Sequence, residues 1–136
     1  MRIDKNGNVG IGLKTIPLDF RLAVKGKIGA GEIKVLDVNN WSDFVFNSDY
    51  KLKPLEEVES FIEQNNHLPD IPSEKEVKEK GINLGDMDAK LLQKIEELTL
   101  YMIEQNKKTD NLINETKELR KENQILKDKI RKLEEK

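Results

Sequence analysis

Four groups of side chains in this chain are of the types that chemistry uses, and in each the number or the spacing falls short. His67 is the single histidine, with Asp70 close by in sequence. A zinc-type centre needs about four converging donors, and a chain without cysteine has no thiolate to complete one. His67 therefore reads as a loop-packing residue. Glu56, Glu57, Glu59 and Glu63 crowd one stretch; paired carboxylates hydrolyse glycosides, but on a helix this run is a solvated acidic face. Gly7, Gly10 and Gly12 echo a phosphate loop, yet no helix follows them to supply the anion-binding N-terminus. Trp41, Phe44 and Tyr50 have faces that can stack on a sugar; as a cluster they read as core where the β part meets the helices. The expectation is a protein with no metal and no cofactor.

Composition limits what can hold these residues in place. Charged residues make up 37% of the 136 positions and aromatic residues 5%, with a mean hydropathy of −0.69. Such a chain is too polar to bury a large core by itself, so core must be completed across subunits. The 24 basic and 26 acidic residues are intermixed and leave a net charge of −2. No block of one sign is available for nucleic acid or a membrane surface. No apolar run approaches membrane-spanning length, and Met1-Arg2-Ile3-Asp4 is no signal peptide. A protein of this kind working outside the cell leaves by another route or rides on a larger particle, and the chain can be the C-terminal piece of something longer.

The dominant element is a seam of apolar residues at alternating spacings of four and three. It runs through Leu91, Ile95, Leu98, Met102, Gln105, Thr109, Leu112, Thr116, Leu119, Asn123, Leu126, Ile130 and Leu133. The Leu91 series occupies heptad d positions and the Ile95 series a positions. A repeat of about 3.5 residues held this long imposes a left-handed supercoil between helices. Gln105, Thr109, Thr116 and Asn123 make the middle polar, which weakens a coiled coil but fixes register and strand number. Asn at a beside Leu at d leans toward two strands. Leu92 and Ile113 at e positions widen the apolar face, and Lys129 at g with Glu134 at e flanks the Ile130 and Leu133 layer. Both features favour a parallel trimer, with a dimer as the alternative.

The rest of the chain reads as two further parts. In residues 1–38, Val9, Ile11 and Leu13 alternate with Gly10 and Gly12, and Leu22, Val24, Ile28, Ile33, Val35 and Val38 supply further short strands. Asn6-Gly7, Lys25-Gly26-Lys27 and Gly29-Ala30-Gly31 mark turns. Strands this few and short need partner strands, most simply from symmetry mates. In residues 39–86, Trp41, Phe44, Phe46 and Tyr50 alternate loosely with polar residues, as an extended strand would. Pro54 opens a helix over 55–64 that places Leu55, Val58, Phe61 and Ile62 on one face. Ser73 with Glu76 makes a capping box, Gly81 ends that short helix, and Asn83 with Asp86 opens the long one. The expected core of this knob is Trp41, Phe44, Phe46, Tyr50, Leu55, Val58, Phe61 and Ile62.

The order of these parts resembles the C-terminal end of trimeric phage tail fibres and tailspikes. Asn6-Gly7-Asn8-Val9-Gly10-Ile11-Gly12 with Leu22-Ala23-Val24-Lys25-Gly26-Lys27-Ile28 is similar to a short β repeat of fibre shafts and of large surface proteins, notably those of Bacteroidetes bacteria and their phages. Ser48-Asp49-Tyr50-Lys51-Leu52-Lys53 is similar to the start of the intramolecular chaperone domain. Endosialidase-type tailspikes, many phage fibres and myelin regulatory factor carry that domain. The run Ile82-Asn83-Leu84-Gly85-Asp86-Met87 and the helix after it resemble the same domain's closing segment. Pro54 and the His67–Gly81 stretch depart from the family pattern.

The resemblance implies that three chains are brought into register and that a Ser–Lys dyad, falling here on Ser48 and Lys53, releases the domain by self-cleavage. A desolvated lysine can take the serine proton; the plainer readings are a turn serine and a solvated helix-start lysine. The expected fold is α+β, an elongated homotrimer with an intertwined β shaft in 1–38, an α/β knob in 39–86 and a parallel coiled coil in 87–136. The expected function is trimerisation and registration of a fibre on a virion or an extracellular injection apparatus, made in the bacterial cytoplasm. Partners would be upstream fibre or baseplate proteins, with a host surface receptor if the tip binds one, and neither nucleic acid nor inserted membrane.

Overall fold

The computed structural model describes residues 1–36 and 41–135, so Val38 lies outside the described residues. Among them are three short strands, one 3₁₀ helix and three α-helices, which makes the chain α+β. Two compact units are present, Met1–Lys34 and Val35–Lys136.

In the first unit the Asn6-Gly7 turn is organised by Asp4. Its Oδ1 accepts the backbone N–H of Asn6 at 2.8 Å and of Asn8 at 3.0 Å, and its Oδ2 accepts the Asn8 side-chain amide at 3.1 Å. These bonds, led by the Asn8 backbone N–H, hold the Asp4 carboxyl below its ordinary pKa. Gly7 sits at φ +78°, the left-handed region that glycine adopts without strain. The turn pairs β1 (Arg2–Ile3) antiparallel with β2 (Val9–Ile11), Ile3 opposite Val9. Strand β3 (Leu22–Val24) joins β2 in parallel, Val9 opposite Leu22. Gly10 is the seat of Ile16, the buried apolar side chain of this unit: a Cβ on Gly10 would lie 2.7 Å from Ile16 Cγ1.

Strand order β1-β2-β3 leaves one backbone edge of β1 and one of β3 unpaired among the described residues. The further strands expected around Ile28, Ile33 and Val35 do not form, and these side chains are exposed. A strand this short is stable only where one face is also covered, and among the described residues nothing covers Ile28, Ile33 and Val35.

In the second unit, residues Ser42–Phe46 form a 3₁₀ helix rather than the expected extended strand. The reason lies in which side chains are buried. Ser42 and Val45 are each 1% exposed, and a 3₁₀ helix superposes residues three apart. A strand would have sent them to opposite faces.

Helix α1 (Leu55–Asn65) follows Pro54 at its N-cap and ends on Asn66 in the left-handed conformation, whose N–H reaches Ile62 O at 2.8 Å. Helix α2 (Glu74–Lys80) has the expected capping box: the Glu76 N–H donates to Ser73 Oγ at 3.3 Å and the Ser73 N–H to Glu76 Oε2 at 2.9 Å. Gly81 closes it at φ +72°. Helix α3 (Leu84–Glu134) has 51 residues and is about 77 Å long at about 1.5 Å per residue. Asn83 is its N-cap, as expected, with its side-chain amide donating to Asp86 Oδ2 at 3.0 Å. Among the described residues no helix is long and apolar enough to cross a membrane.

Candidate functional site

The seam residues project from α3 with nothing over them. Leu91, Ile95, Leu98, Met102, Leu112, Leu119, Leu126, Ile130 and Leu133 are 46% to 71% exposed. Gln105, Thr109, Thr116 and Asn123 between them are exposed as well. Thr109 Oγ1 donates to Gln105 O at 2.9 Å and Thr116 Oγ1 to Leu112 O at 2.7 Å. Each hydroxyl is thereby satisfied within its own helix, which lowers the cost of placing it in an apolar layer.

At its N-terminal end α3 is gripped by residues 42–53. Ser42 Oγ donates to Ala89 O, Tyr50 OH to Glu97 Oε1, and Tyr101 OH to Lys53 O at 2.6 Å. The first two bonds span 47 residues and the third 48. The segment therefore runs alongside α3 in the same direction, advancing nearly one residue per helical residue. In the seam's frame, Ala89 and Glu96 are b positions, Gln93 is f, Glu97 is c, and Lys94 and Tyr101 are g. The clamp occupies the back and one flank of the helix and leaves a and d clear.

A polar cluster fastens the clamp. Gln93 Nε2 donates to Glu97 Oε1 at 2.8 Å, and Lys94 Nζ lies 3.0 Å from Glu97 Oε2 and 2.9 Å from Asp70 Oδ2. Burial raises the pKa of the Tyr50 phenol to about 12, helped by its hydrogen bond to Glu97. Burial opposes charge on Lys94, but its bonds to Asp70 and Glu97 outweigh this and hold its pKa above the ordinary value. Burial likewise pushes Glu97 upward, and the donors Tyr50, Lys94 and Gln93 reverse it to a lowered pKa. The Lys94 hydrogen bond lowers that of Asp70. Asp70 is at φ +66°, so this loop residue is held in an unfavoured conformation with its carboxylate on α3.

Glu96 is the exception. It is 7% exposed, and its Oε2 has no hydrogen-bond partner among the described residues. Burial, and then the like charge of Asp43, raise its pKa. A raised carboxylate pKa means that the folded unit prefers the protonated acid. Glu96 therefore costs stability at neutral pH, and the cost fades as pH falls through its folded pKa toward the ordinary carboxylate value. We expect Glu96→Gln to raise the thermal midpoint at pH 7 and to lose that advantage near pH 4, measured by circular dichroism melts across pH.

The other candidate residues are placed as follows. Ser48 is exposed in the turn that the Tyr50 N–H closes onto Asn47 O at 3.0 Å. Lys53 is exposed, and no hydrogen bond joins it to Ser48 among the described residues; its carbonyl instead receives the Tyr101 hydroxyl. Of the expected knob core, Tyr50, Val58 and Phe61 are half-buried, whereas Trp41, Phe44, Phe46, Leu55 and Ile62 are exposed. Phe44 and Tyr50 pack with ring centroids 5.8 Å apart. His67 meets Phe61 edge-on at 5.4 Å, and its neighbour Asp70 serves Lys94. Among the described residues no three His, Cys, Asp or Glu side chains converge to hold a metal.

Ser42, Ala89, Gln93, Lys94 and Glu97 were not singled out by sequence. Their signal was the seam itself, which assigns them to the back and flank of the helix without naming their partners. Comparison of the chain with protein-family models, with curated proteins and with solved structures finds no match.

Proposed function

We propose that this chain is the trimerisation and register-setting module of a fibre or fibre-like surface protein, carried on a virion or injection apparatus. The observation that carries the reading is the bare seam: nine apolar side chains in one unbroken heptad frame, none of them covered by the chain's own clamp. Covering a Leu, Ile or Met side chain is worth roughly 1.5–3 kcal/mol. Parallel copies of α3 cover all of them at once. The clamp fixes residues 42–53 at a set height on α3, so zippering also brings the knobs of the three chains level. It raises the local concentration of the β segments, whose unpaired edges then find partners within one assembly. Light scattering at micromolar concentration should give three times the 15.7 kDa chain mass, whereas a monomer mass sinks the proposal.

The Ser–Lys cleavage reading gives a separate test. Among the described residues no base is hydrogen-bonded to the Ser48 hydroxyl, which is exposed. We expect the intact mass to persist, by mass spectrometry, both with Ser48 present and in Ser48→Ala. A fragment beginning at Ser48 in the unsubstituted chain alone would establish the dyad instead.

A further inference from the structure

Helices α1 and α3 belong to one unit but their backbones are not closely packed. No Cα of α1 lies within 8 Å of a Cα of α3, whereas packed helices have axes about 8–10 Å apart and facing Cα atoms closer still. Between them opens a groove of about 450 Å³. Leu55 and Val58 of α1 line one side, Leu91, Ile95 and Leu98 of α3 the other, and Leu68 adds to the apolar lining. The three α3 residues are the first d, a and d positions of the seam. Leu55 and, beyond the groove, Ile62 remain exposed on α1.

From this we infer that the groove seats the α3 helix of a neighbouring copy, so that α1 forms a second wall of the interface between chains. The inference rests on the trimer reading and adds to it a part for the knob. Three features name the occupant. First, the groove's α3 side is the seam, so whatever covers Met102 and Leu112 in a continuous frame must also cover Leu98, Ile95 and Leu91. In a parallel, in-register bundle that is the same turn of another α3. Second, the g residue at this height, Lys94, is held by Glu97 and Asp70, and the e position carries the half-buried, apolar Leu92. A plain two-helix zipper carries charge at e, and a helix lying between α3 and α1 has use for an apolar flank. Third, of the polar residues lining the groove, Lys94 and Glu97 are paired with each other and with Asp70, and the Tyr101 hydroxyl is taken by Lys53 O, so apart from Lys53 the opening presents apolar surface to the incoming helix.

The test uses the absence of cysteine. Chains carrying Val58→Cys and chains carrying Ile95→Cys, with tags of different length, are unfolded, refolded together and coupled with a short bismaleimide. The expected product is a mixed two-chain band joining Val58→Cys of one chain to Ile95→Cys of another. Absence of the mixed band in a sample that still has the trimer mass overturns the inference and leaves the trimer reading standing. A monomer mass overturns both. Because Leu55 is 55% exposed in the single chain, the variant Leu55→Asp gives an independent reading with little effect on the chain's own fold. It should raise the concentration at which the trimer dissociates by about tenfold or more, and an unchanged dissociation midpoint overturns the inference.

Discussion

If the seam is the trimer interface proposed for it, replacing Leu112 and Leu119 by aspartate should abolish association at micromolar concentration. Both are d residues, 61% and 57% exposed in the single chain, so the substitution removes nothing from the fold of one protomer. In a trimer it replaces three leucines in each of two layers. Every lost seat costs roughly 1.5–3 kcal/mol of burial, and the incoming carboxylates would crowd the axis as uncompensated like charges. The combined loss corresponds to a rise in the dissociation constant of at least about a thousandfold. Helix content should fall with association, because beyond Tyr101 almost every α3 side chain is exposed, and an unsupported helix in water is marginal. Asn114→Asp/Lys121→Asp places similar charge at f positions of the same turns and should leave the mass trimeric. Sedimentation velocity with circular dichroism on the same samples reads both effects. If the d-position pair stays trimeric, the seam is not the interface.

That result would rest on the part of the molecule most open to sequence reading. A heptad frame is a one-dimensional pattern whose physical consequence, an apolar stripe on one face, needs no knowledge of the rest of the fold. The Ser73 and Glu76 capping box and the Asn6-Gly7 turn are local in the same sense, and both formed where their residues placed them. What could not be read depends on partners far along the chain. Trp41 to Phe46 alternates like a strand, but burying Ser42 and Val45 together against α3 requires the 3₁₀ turn. That choice is made by Ala89, 47 residues from Ser42. Residues 28–35 erred in the other direction. Their β-branched residues are strand-prone, but Ile28, Ile33 and Val35 stay exposed, and a strand without a covered face gains too little to form. Asp70 was noticed for its neighbour His67, whereas the loop conformation delivers it to Lys94. Pattern gives the face of an element; only the tertiary fold gives the residue opposite.

Glu97→Ala should be the most damaging single change in the clamp. The Glu97 carboxylate accepts from Tyr50, Gln93 and Lys94, and its side chain, like that of Lys94, is 14% exposed. Its removal leaves the Tyr50 hydroxyl without its carboxylate and the Lys94 ammonium with Asp70 alone. Deleting one member of a buried ion pair costs about 3–5 kcal/mol; with Asp70 still in place and the site partly open to water, about 2–3 kcal/mol is expected here. Measured by urea unfolding in the Leu112→Asp/Leu119→Asp background, the loss reports on the clamp without the stalk. Glu97→Gln keeps an acceptor for Tyr50 and should lose roughly half as much.

The same pair of variants carries a pH signature. Glu97 and Asp70 have folded pKa values below their ordinary ones. Their contribution is complete above the ordinary carboxylate value and disappears as pH falls through the lowered folded values. Lys94 is raised, so its share is present below the ordinary lysine pKa and lost as pH climbs past the folded one. Tyr50, raised to about 12, likewise contributes below its ordinary pKa and loses that share in strong base. Apart from Glu96, whose penalty fades as pH falls, these groups should leave the clamp flat in stability across neutral pH and weaken it in acid. Glu97→Ala should flatten the acid limb, because the carboxylate whose protonation drives much of it is gone. An acid limb of unchanged steepness in Glu97→Ala would mean that Asp70, from the other side of Lys94, governs the clamp.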